Sequence, residues 1–173
     1  MARSIFVPKM PGFSTKLRTS LGLFVVFWGI YFFTYQGRPI STDELILFDA
    51  THSFAQFGTL DLHYTSDLRP FPTAQGPFIV YILDSEPLQA YVGSAIMWLA
   101  LRLPGIGLMQ TLWTFNLFVT AFTVVLLYHY ALLLGYKHRT ALLAASAFGL
   151  ATYAWVYSKF FFREPLFVLL AFL

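Results

Sequence analysis

The sequence contains no cysteine and few charged residues, and each shortage excludes a class of functions. Without a thiol among its 173 residues, the chain cannot form a disulfide, a thiolate metal centre, an iron–sulfur cluster or a cysteine nucleophile. Only 11% of the residues are charged, whereas soluble domains average about 25%. Because so few charges cannot cover a surface for water, a soluble enzyme is excluded. A net charge of +3 without a dense basic cluster also excludes nucleic acid as a partner.

The sequence contains long uncharged hydrophobic runs, and these runs have the length of membrane spans. Hydrophobic residues make up 58% of the chain, and its mean hydropathy is +0.66. A helix needs about 20 apolar residues, at roughly 1.5 Å each, to cross a hydrocarbon core of about 30 Å. The uncharged runs therefore predict spans at about 19–36, 111–134 and 140–158, and a further span that begins at 165. Because residues 165–173 cover only about 14 Å of helix, we expect the chain to continue beyond its last residue.

One uncharged stretch, at 87–101, is only 15 residues long and is too short for a comfortable span. It predicts an interfacial helix at about 87–102. The positive-inside rule supports this interpretation, because basic residues up to Arg18 precede the first span and the basic turn 137–139 follows the second. Both groups are cytoplasmic only if the short stretch does not cross. We therefore expect an integral multi-pass protein of the plasma membrane, with a cytoplasmic N-terminus and an extracytoplasmic first loop at 37–110.

The first loop holds seven of the eight acidic residues of the chain. All seven lie within 37–86, where only Arg38 and Arg69 oppose them, so the formal charge of this part is about −5, and for most of these acids a solvated loop surface is the simple interpretation. Within the loop, Ser41 and Glu44 have the spacing of a capping box, in which the serine caps a helix and the glutamate reaches back. An apolar-rich run follows, so the pattern predicts a juxtamembrane helix at about 42–57, in addition to the interfacial helix.

Asp43 differs from the other acids in its place on this predicted helix. On a helical wheel it lies at the head of the apolar side, opposite the polar face. The apolar stripe consists of Leu47, Ala50 and Phe54, and the polar face of Asp49, His52 and Gln56. A carboxylate aimed at the membrane or the bundle is costly unless it has a partner or a task. The placement therefore predicts a base, or a group that orients an acceptor, at the membrane surface.

Four short motifs follow one another along the chain in an order that resembles a known family. They are STDEL at 41–45, EPLQAY at 86–91, LGYKHRTALLAA at 134–145 and SKFFFREPL at 158–166. Their order and spacing resemble the N-terminal part of polytopic glycosyltransferases of the GT-C type, the group that contains protein O-mannosyltransferases and the aminoarabinose transferase of lipid A. Members begin with one span and an extracytoplasmic loop, in which an Asp-Glu motif heads a juxtamembrane helix. In the last motif, Glu164 stands where many relatives carry aspartate.

The resemblance implies a fold, a reaction and a set of site residues. The fold is an all-α polytopic membrane helix bundle with an extracytoplasmic first loop that carries two juxtamembrane helices. The reaction transfers a sugar from a polyprenyl-phosphate-linked donor to an extracytoplasmic acceptor. Asp43 would activate or orient the acceptor hydroxyl, and Glu164 would assist or hold a divalent metal ion. Glu44, Lys159 and Arg163 would bind the substrate, although for the two cations ordinary anchoring at the membrane interface is an equally good interpretation.

As such an enzyme, the chain would have the lipid-linked donor, membrane lipids and its own C-terminal remainder as partners. Two other interpretations stay open, a non-catalytic subunit of a membrane complex and a segment of a transporter. A transporter would show broken spans in paired positions or charges inside the bundle, and the sequence indicates neither. His129 lies inside the second span, where a hydrogen bond to a neighbouring helix is the favoured role. His52 and His63 match no metal-binding spacing and are predicted to be solvated.

Overall fold

The computed structural model describes residues 13–63 and 87–173, which form seven helices and no strand. In chain order they are α1 (Phe13–Phe33), α2 (Thr42–Phe57), α3 (Leu88–Ala100), α4 (Leu108–Leu133), α5 (His138–Ala151), α6 (Tyr153–Tyr157) and α7 (Glu164–Ala171). The all-α class is therefore confirmed for the described part of the chain. Residues 64–86 lie outside the described residues, and with them Asp67, Asp84 and Glu86 of the acidic first loop. Residues 1–12, which contain the basic residues Arg3 and Lys9, also lie outside them.

The longest helices, α1 and α4, pack side by side in opposite directions. At one end the Ser20 hydroxyl lies 2.7 Å from Nε2 of His129, and at the other end the Tyr35 hydroxyl donates to the carbonyl of Gln110. With 21 and 26 residues, both helices are long and apolar enough to cross a membrane. This agrees with the first two predicted spans, and the contact of His129 with α1 confirms its predicted hydrogen bond between helices.

Helix α5 packs against this pair through small residues. Ala141 and Ala145 are fully buried, and Gly149 lies directly against the ring of Phe27. The Tyr31 hydroxyl donates to the Gly149 carbonyl at 3.0 Å. Small side chains let helix backbones approach closely, which is the usual way in which helices associate when apolar burial alone does not favour association.

The predicted span at 140–158 is divided in the structure, which differs from the single helix expected. Helix α5 ends at Ala151, and Thr152 has an extended backbone with φ −126° and ψ 176° before α6 begins. The Thr152 hydroxyl donates to the Phe148 carbonyl at 2.6 Å and accepts from the Ala154 N–H at 3.1 Å. A threonine hydroxyl that bonds to nearby backbone groups competes with the helical ladder. At 14 residues, α5 covers about 21 Å, less than a bilayer core.

Helices α2 and α3 pack against each other and against the first turns of α4. The helix predicted at about 42–57 is present with those bounds, between the N-cap Ser41 and the C-cap Gly58, whose φ is +76°. The Ser41 hydroxyl accepts from the Glu44 N–H at 3.3 Å, as the capping box predicts. On α3, Gly93 faces Phe161, and a β-carbon there would lie 2.9 Å from the phenyl ring. Glycine is therefore needed where α3 meets the segment between α6 and α7.

Candidate functional site

The two acids at the start of α2 face opposite ways, and the helical-wheel placement of Asp43 is wrong. Asp43 is exposed, whereas the Glu44 side chain has 0% exposure. Asp49 and His52, predicted on the polar face, are buried as well. The predicted apolar stripe is itself buried at Leu47 and Ala50. The wheel fails at Asp43 because α2 is buried on more than this stripe, and because Glu44 is the acid of the first turn whose partners come from distant parts of the chain.

Glu44 accepts hydrogen bonds from three N–H donors. Its Oε1 accepts from Nε1 of Trp113 at 3.0 Å and from the backbone N–H of Phe161 at 2.8 Å. Its Oε2 accepts from the Ile40 N–H at 2.7 Å, one residue before the N-cap. The carboxylate thus joins α2 to α4 and to segment 158–163, which links α6 to α7. These contacts give Glu44 a structural role, and its contact with substrate stays a prediction.

Asn116, one turn beyond Trp113 on α4, holds the same segment. Its Nδ2 donates to the carbonyls of Phe160 and Phe162, both at 2.6 Å, and its Oδ1 accepts from Nε2 of Gln89 on α3 at 3.4 Å. Buried backbone groups outside a helix need partners, and in a membrane water cannot supply them. Glu44 and Asn116 supply them for this non-helical segment, which is packed between α3 and α4.

Glu164, the first residue of α7, lines a cavity of about 290 Å³ beside α4. The wall of the cavity is almost entirely apolar. Its lining residues are Thr120, Thr123, Phe148, Thr152, Tyr153, Ala154, Tyr157, Glu164, Pro165 and Val168. The Oε2 atom of Glu164 and the hydroxyl of Thr120 are both buried and have no hydrogen-bond partner among the residues that the structure describes.

The other threonines of this cavity have their hydroxyl groups occupied. Thr123 donates to the Val119 carbonyl at 2.9 Å, and Thr152 bonds across the break between α5 and α6. A threonine that bonds back to its own helix contributes a methyl group, and little polarity, to a cavity wall. The buried polar atoms of the cavity wall that lack a partner among the described residues are therefore those of Glu164 and Thr120.

Lys159 and Arg163, predicted to bind a lipid phosphate, lie on the segment that Glu44 and Asn116 hold. The Lys159 ammonium group lies 5.9 Å from the centre of the Trp155 ring, within the range of a weak cation–π contact. Arg163 is exposed and immediately precedes Glu164. Both cations and Glu164 belong to one short stretch of the chain, which Glu44 contacts at Phe161, while the Asp43 side chain is exposed.

The histidines of the first loop separate in the structure. His63 is exposed, as predicted, but His52 is buried, and this desolvation lowers the pKa of His52 below its usual value. Among residues 13–63 and 87–173, no group of three or more His, Asp or Glu side chains could hold a metal ion. The residues described around Glu164 therefore do not make a metal site by themselves.

Sequence reasoning missed the side chains that organise this region, above all Asn116, Gln89 and Thr120. Asn116 is the single asparagine of the sequence and interrupts a long apolar run. A polar side chain in such a run marks a helix–helix contact or a functional position, so this signal was available. No comparable signal distinguishes Thr120 from its neighbouring threonines, because the difference lies in where each hydroxyl bonds.

Comparison of the chain with protein-family models, curated protein sequences and solved structures returns no match.

Proposed function

We propose that this chain acts in a multi-pass membrane glycosyltransferase of the GT-C type, which transfers a sugar from a polyprenyl-phosphate-linked donor to an extracytoplasmic acceptor. The observation that carries the proposal is the hydrogen bond from the Phe161 N–H to Glu44, at 2.8 Å. It joins the acidic start of α2 to the segment that leads into Glu164. Two acidic motifs that lie 120 residues apart in the sequence, at Glu44 and Glu164, are thereby joined through one short segment.

The position of the site relative to a bilayer is consistent with this proposal. Counted back from Leu133, beside the basic turn 137–139, the roughly 20 residues that cross a hydrocarbon core end at Thr114. Trp113 would then lie at the outer interface, where tryptophan is enriched, and its partner Glu44 would lie at the same height. Thr120 is six residues deeper in α4, about 9 Å into the outer leaflet. Glu164 lines the cavity at that depth.

In the proposed reaction, the acceptor oxygen bonds to the anomeric carbon of the sugar while the bond from that carbon to the donor phosphate breaks. Asp43 is exposed at the start of α2 and takes the proton of the acceptor hydroxyl. The polyprenyl phosphate leaves with the electron pair of the broken bond. Lys159 and Arg163 are the cations of this region that can stabilise the phosphate. Glu44 positions Asp43 and segment 158–163, and no step is assigned to a metal ion.

Replacement of Asp43 by asparagine tests the assignment of the base. A positioned general base contributes on the order of 100- to 10,000-fold to a rate, so Asp43→Asn lowers sugar transfer at least about 100-fold. The assay follows label from radioactive polyprenyl-phosphate mannose and glucose into the protein and lipid fractions of membranes that contain the full-length protein. Asp61→Asn, another acid of the same loop, is the matched control and keeps full transfer. Unchanged transfer by the Asp43 variant, at equal protein level, contradicts the assignment.

The multi-pass arrangement has its own test, because the sequence contains no cysteine. Cysteines introduced at the exposed positions His63 and Tyr136 are labelled with a membrane-impermeant maleimide on intact cells. We expect labelling at His63→Cys only, and labelling at both positions after the membrane is opened. Equal labelling of both on intact cells overturns the proposed topology.

A transporter segment is the second candidate function, and two features of the structure favour it. The break at Thr152 interrupts a predicted span, and Oε2 of Glu164 is buried beside a cavity. Broken helices and acids inside a bundle are typical of transport pathways. The two functions differ in their dependence on Asp43, since its loss abolishes sugar transfer but leaves a pathway through the Glu164 cavity intact.

A further inference from the structure

The cavity beside α4 combines an apolar wall with two buried polar atoms. Its volume of about 290 Å³ accommodates on the order of ten non-hydrogen atoms, at about 30 Å³ each. Thr120 is only 3% exposed, and its hydroxyl has no hydrogen-bond partner among the described residues. The same holds for Oε2 of Glu164. Buried polar atoms are nearly always hydrogen-bonded in folded proteins, so a pair of such atoms in the wall of one cavity indicates a ligand that bonds to both.

The chemistry of these two atoms narrows the class of ligand. A carboxylate in an apolar wall is costly without a positive charge nearby. None of the described residues that line the cavity is basic, and the Lys159 ammonium group faces the Trp155 ring. Arg163, the residue before Glu164, lines a separate recess with Leu88 and Gln89. A positively charged ligand therefore supplies the charge that the wall of this cavity lacks.

Aromatic side chains support a cation in the same place. Phe148, Tyr153 and Tyr157 all line the cavity, and the negative faces of such rings attract organic cations. The remaining wall, with Ala154, Pro165 and Val168, suits an apolar body. A divalent metal ion without its water shell finds too few oxygen ligands in this wall, because Mg²⁺ and Ca²⁺ take six or more.

We propose that this cavity binds an organic ammonium ion with an apolar body, whose N–H groups donate to Oε2 of Glu164 and to the hydroxyl of Thr120. The site opens between α5, α6 and α7, next to the helix break at Thr152. The inference does not depend on glycosyl transfer, since binding is measured with no sugar donor present. Failure of one proposal therefore leaves the other standing.

Binding of benzylammonium to the full chain tests this inference, and benzyl alcohol is the neutral ligand of the same size. The protein is placed in nanodiscs of phosphatidylcholine, and binding of the tritiated ligands is corrected with empty nanodiscs. A hydrogen bond to a charged group changes an equilibrium roughly 10- to 100-fold. We therefore expect benzylammonium to bind at least about tenfold more tightly than benzyl alcohol. Equal binding of the two ligands overturns the proposal.

Substitutions then locate the ion in the cavity. Glu164→Gln and Thr120→Val each weaken binding of benzylammonium about tenfold or more and leave benzyl alcohol within about twofold. Thr123→Val is the matched control, because its hydroxyl bonds to the Val119 carbonyl, and it changes neither ligand. If Glu164→Gln fails to fold, two measurements still test the proposal. They are the comparison of the two ligands on the unchanged protein and the binding of benzylammonium by Thr120→Val. Unchanged benzylammonium binding by a folded Thr120→Val protein contradicts the proposed site.

Discussion

Replacement of Glu44 by leucine removes the acceptor on which three N–H groups depend. Leucine has a similar size and suits the apolar surroundings, so the change is mainly one of hydrogen bonding. The donors are the N–H groups of Ile40 and Phe161 and the indole of Trp113. We expect the Glu44→Leu protein to keep its helices but to lose the attachment of segment 158–163 to α2 and α4.

The loss of stability depends on how many of these donors water cannot reach. Trp113 and Phe161 have 0% exposure, and a buried donor left without a partner costs about 1–3 kcal/mol. The two donors together give a loss of about 2–6 kcal/mol. Ile40 is 59% exposed, so its N–H group can turn to water and adds little. Glu44→Gln keeps one acceptor oxygen but loses the charge, which roughly halves the strength of each bond.

A single introduced cysteine measures this opening, since the natural sequence has none. Ser158 is fully buried at the start of the segment, and the Ser158→Cys thiol reacts with a maleimide only when the segment opens. At about 1.4 kcal/mol for each factor of ten, the expected loss accelerates labelling about 30-fold to 20,000-fold. The measurement compares Glu44→Leu, Glu44→Gln and the unchanged residue in the Ser158→Cys protein.

A double-mutant cycle with Trp113→Phe separates the lost hydrogen bonds from general loosening. Phenylalanine has no N–H, so in the Glu44→Leu background it removes one of the two stranded donors. The cycle should therefore return a coupling energy of about 1–3 kcal/mol between the two positions. Strictly additive effects, or a Glu44→Leu protein as closed as the original, would refute the view that Glu44 holds this segment.

Two further predictions concern helix packing and pH. Gly149→Ala places a methyl group into the Phe27 ring and lowers stability by about 1–3 kcal/mol in thermal unfolding. Gly22→Ala, which has open space around it, is the control and is neutral or stabilising. Equal effects of the two substitutions would contradict the close contact at Gly149. Burial lowers the pKa of His52 below the 6.5 of the unfolded chain, so the folded protein binds fewer protons there than the unfolded chain does. The contribution of His52 to stability is therefore fully present above pH 6.5 and is lost as the pH falls below it. His52→Gln should flatten this part of the pH profile, and an unchanged slope would exclude His52 as its origin.

The sequence by itself determined the places of most of the helices, among them the two that are long and apolar enough to cross a membrane. Charge content and long apolar runs are summed over many residues, so α1 and α4 could be predicted without knowledge of their neighbours. The capping box at Ser41 acts within one turn, and for that reason the bounds of α2 were predicted correctly. Local signals of this kind need no tertiary contact.

The break at Thr152 depends on both local and tertiary contacts. Its hydroxyl bonds only to groups within four residues, at Phe148 and Ala154, yet nothing in composition distinguishes it from a threonine that continues a helix. Thr123 makes the same type of bond to Val119 inside an unbroken α4. Which outcome occurs depends on packing around the helix, and hydrophobic length alone predicted one continuous span.

Only the tertiary structure decided which acid at the start of α2 is buried and what surrounds Glu164. Asp43 and Glu44 are adjacent and chemically similar, and both fit the first turn of a helix. Glu44 is buried because Trp113 and Phe161, 69 and 117 residues further along the chain, place N–H donors where its oxygens lie. A buried carboxylate is stable only where such donors converge, and that convergence is a property of the folded chain.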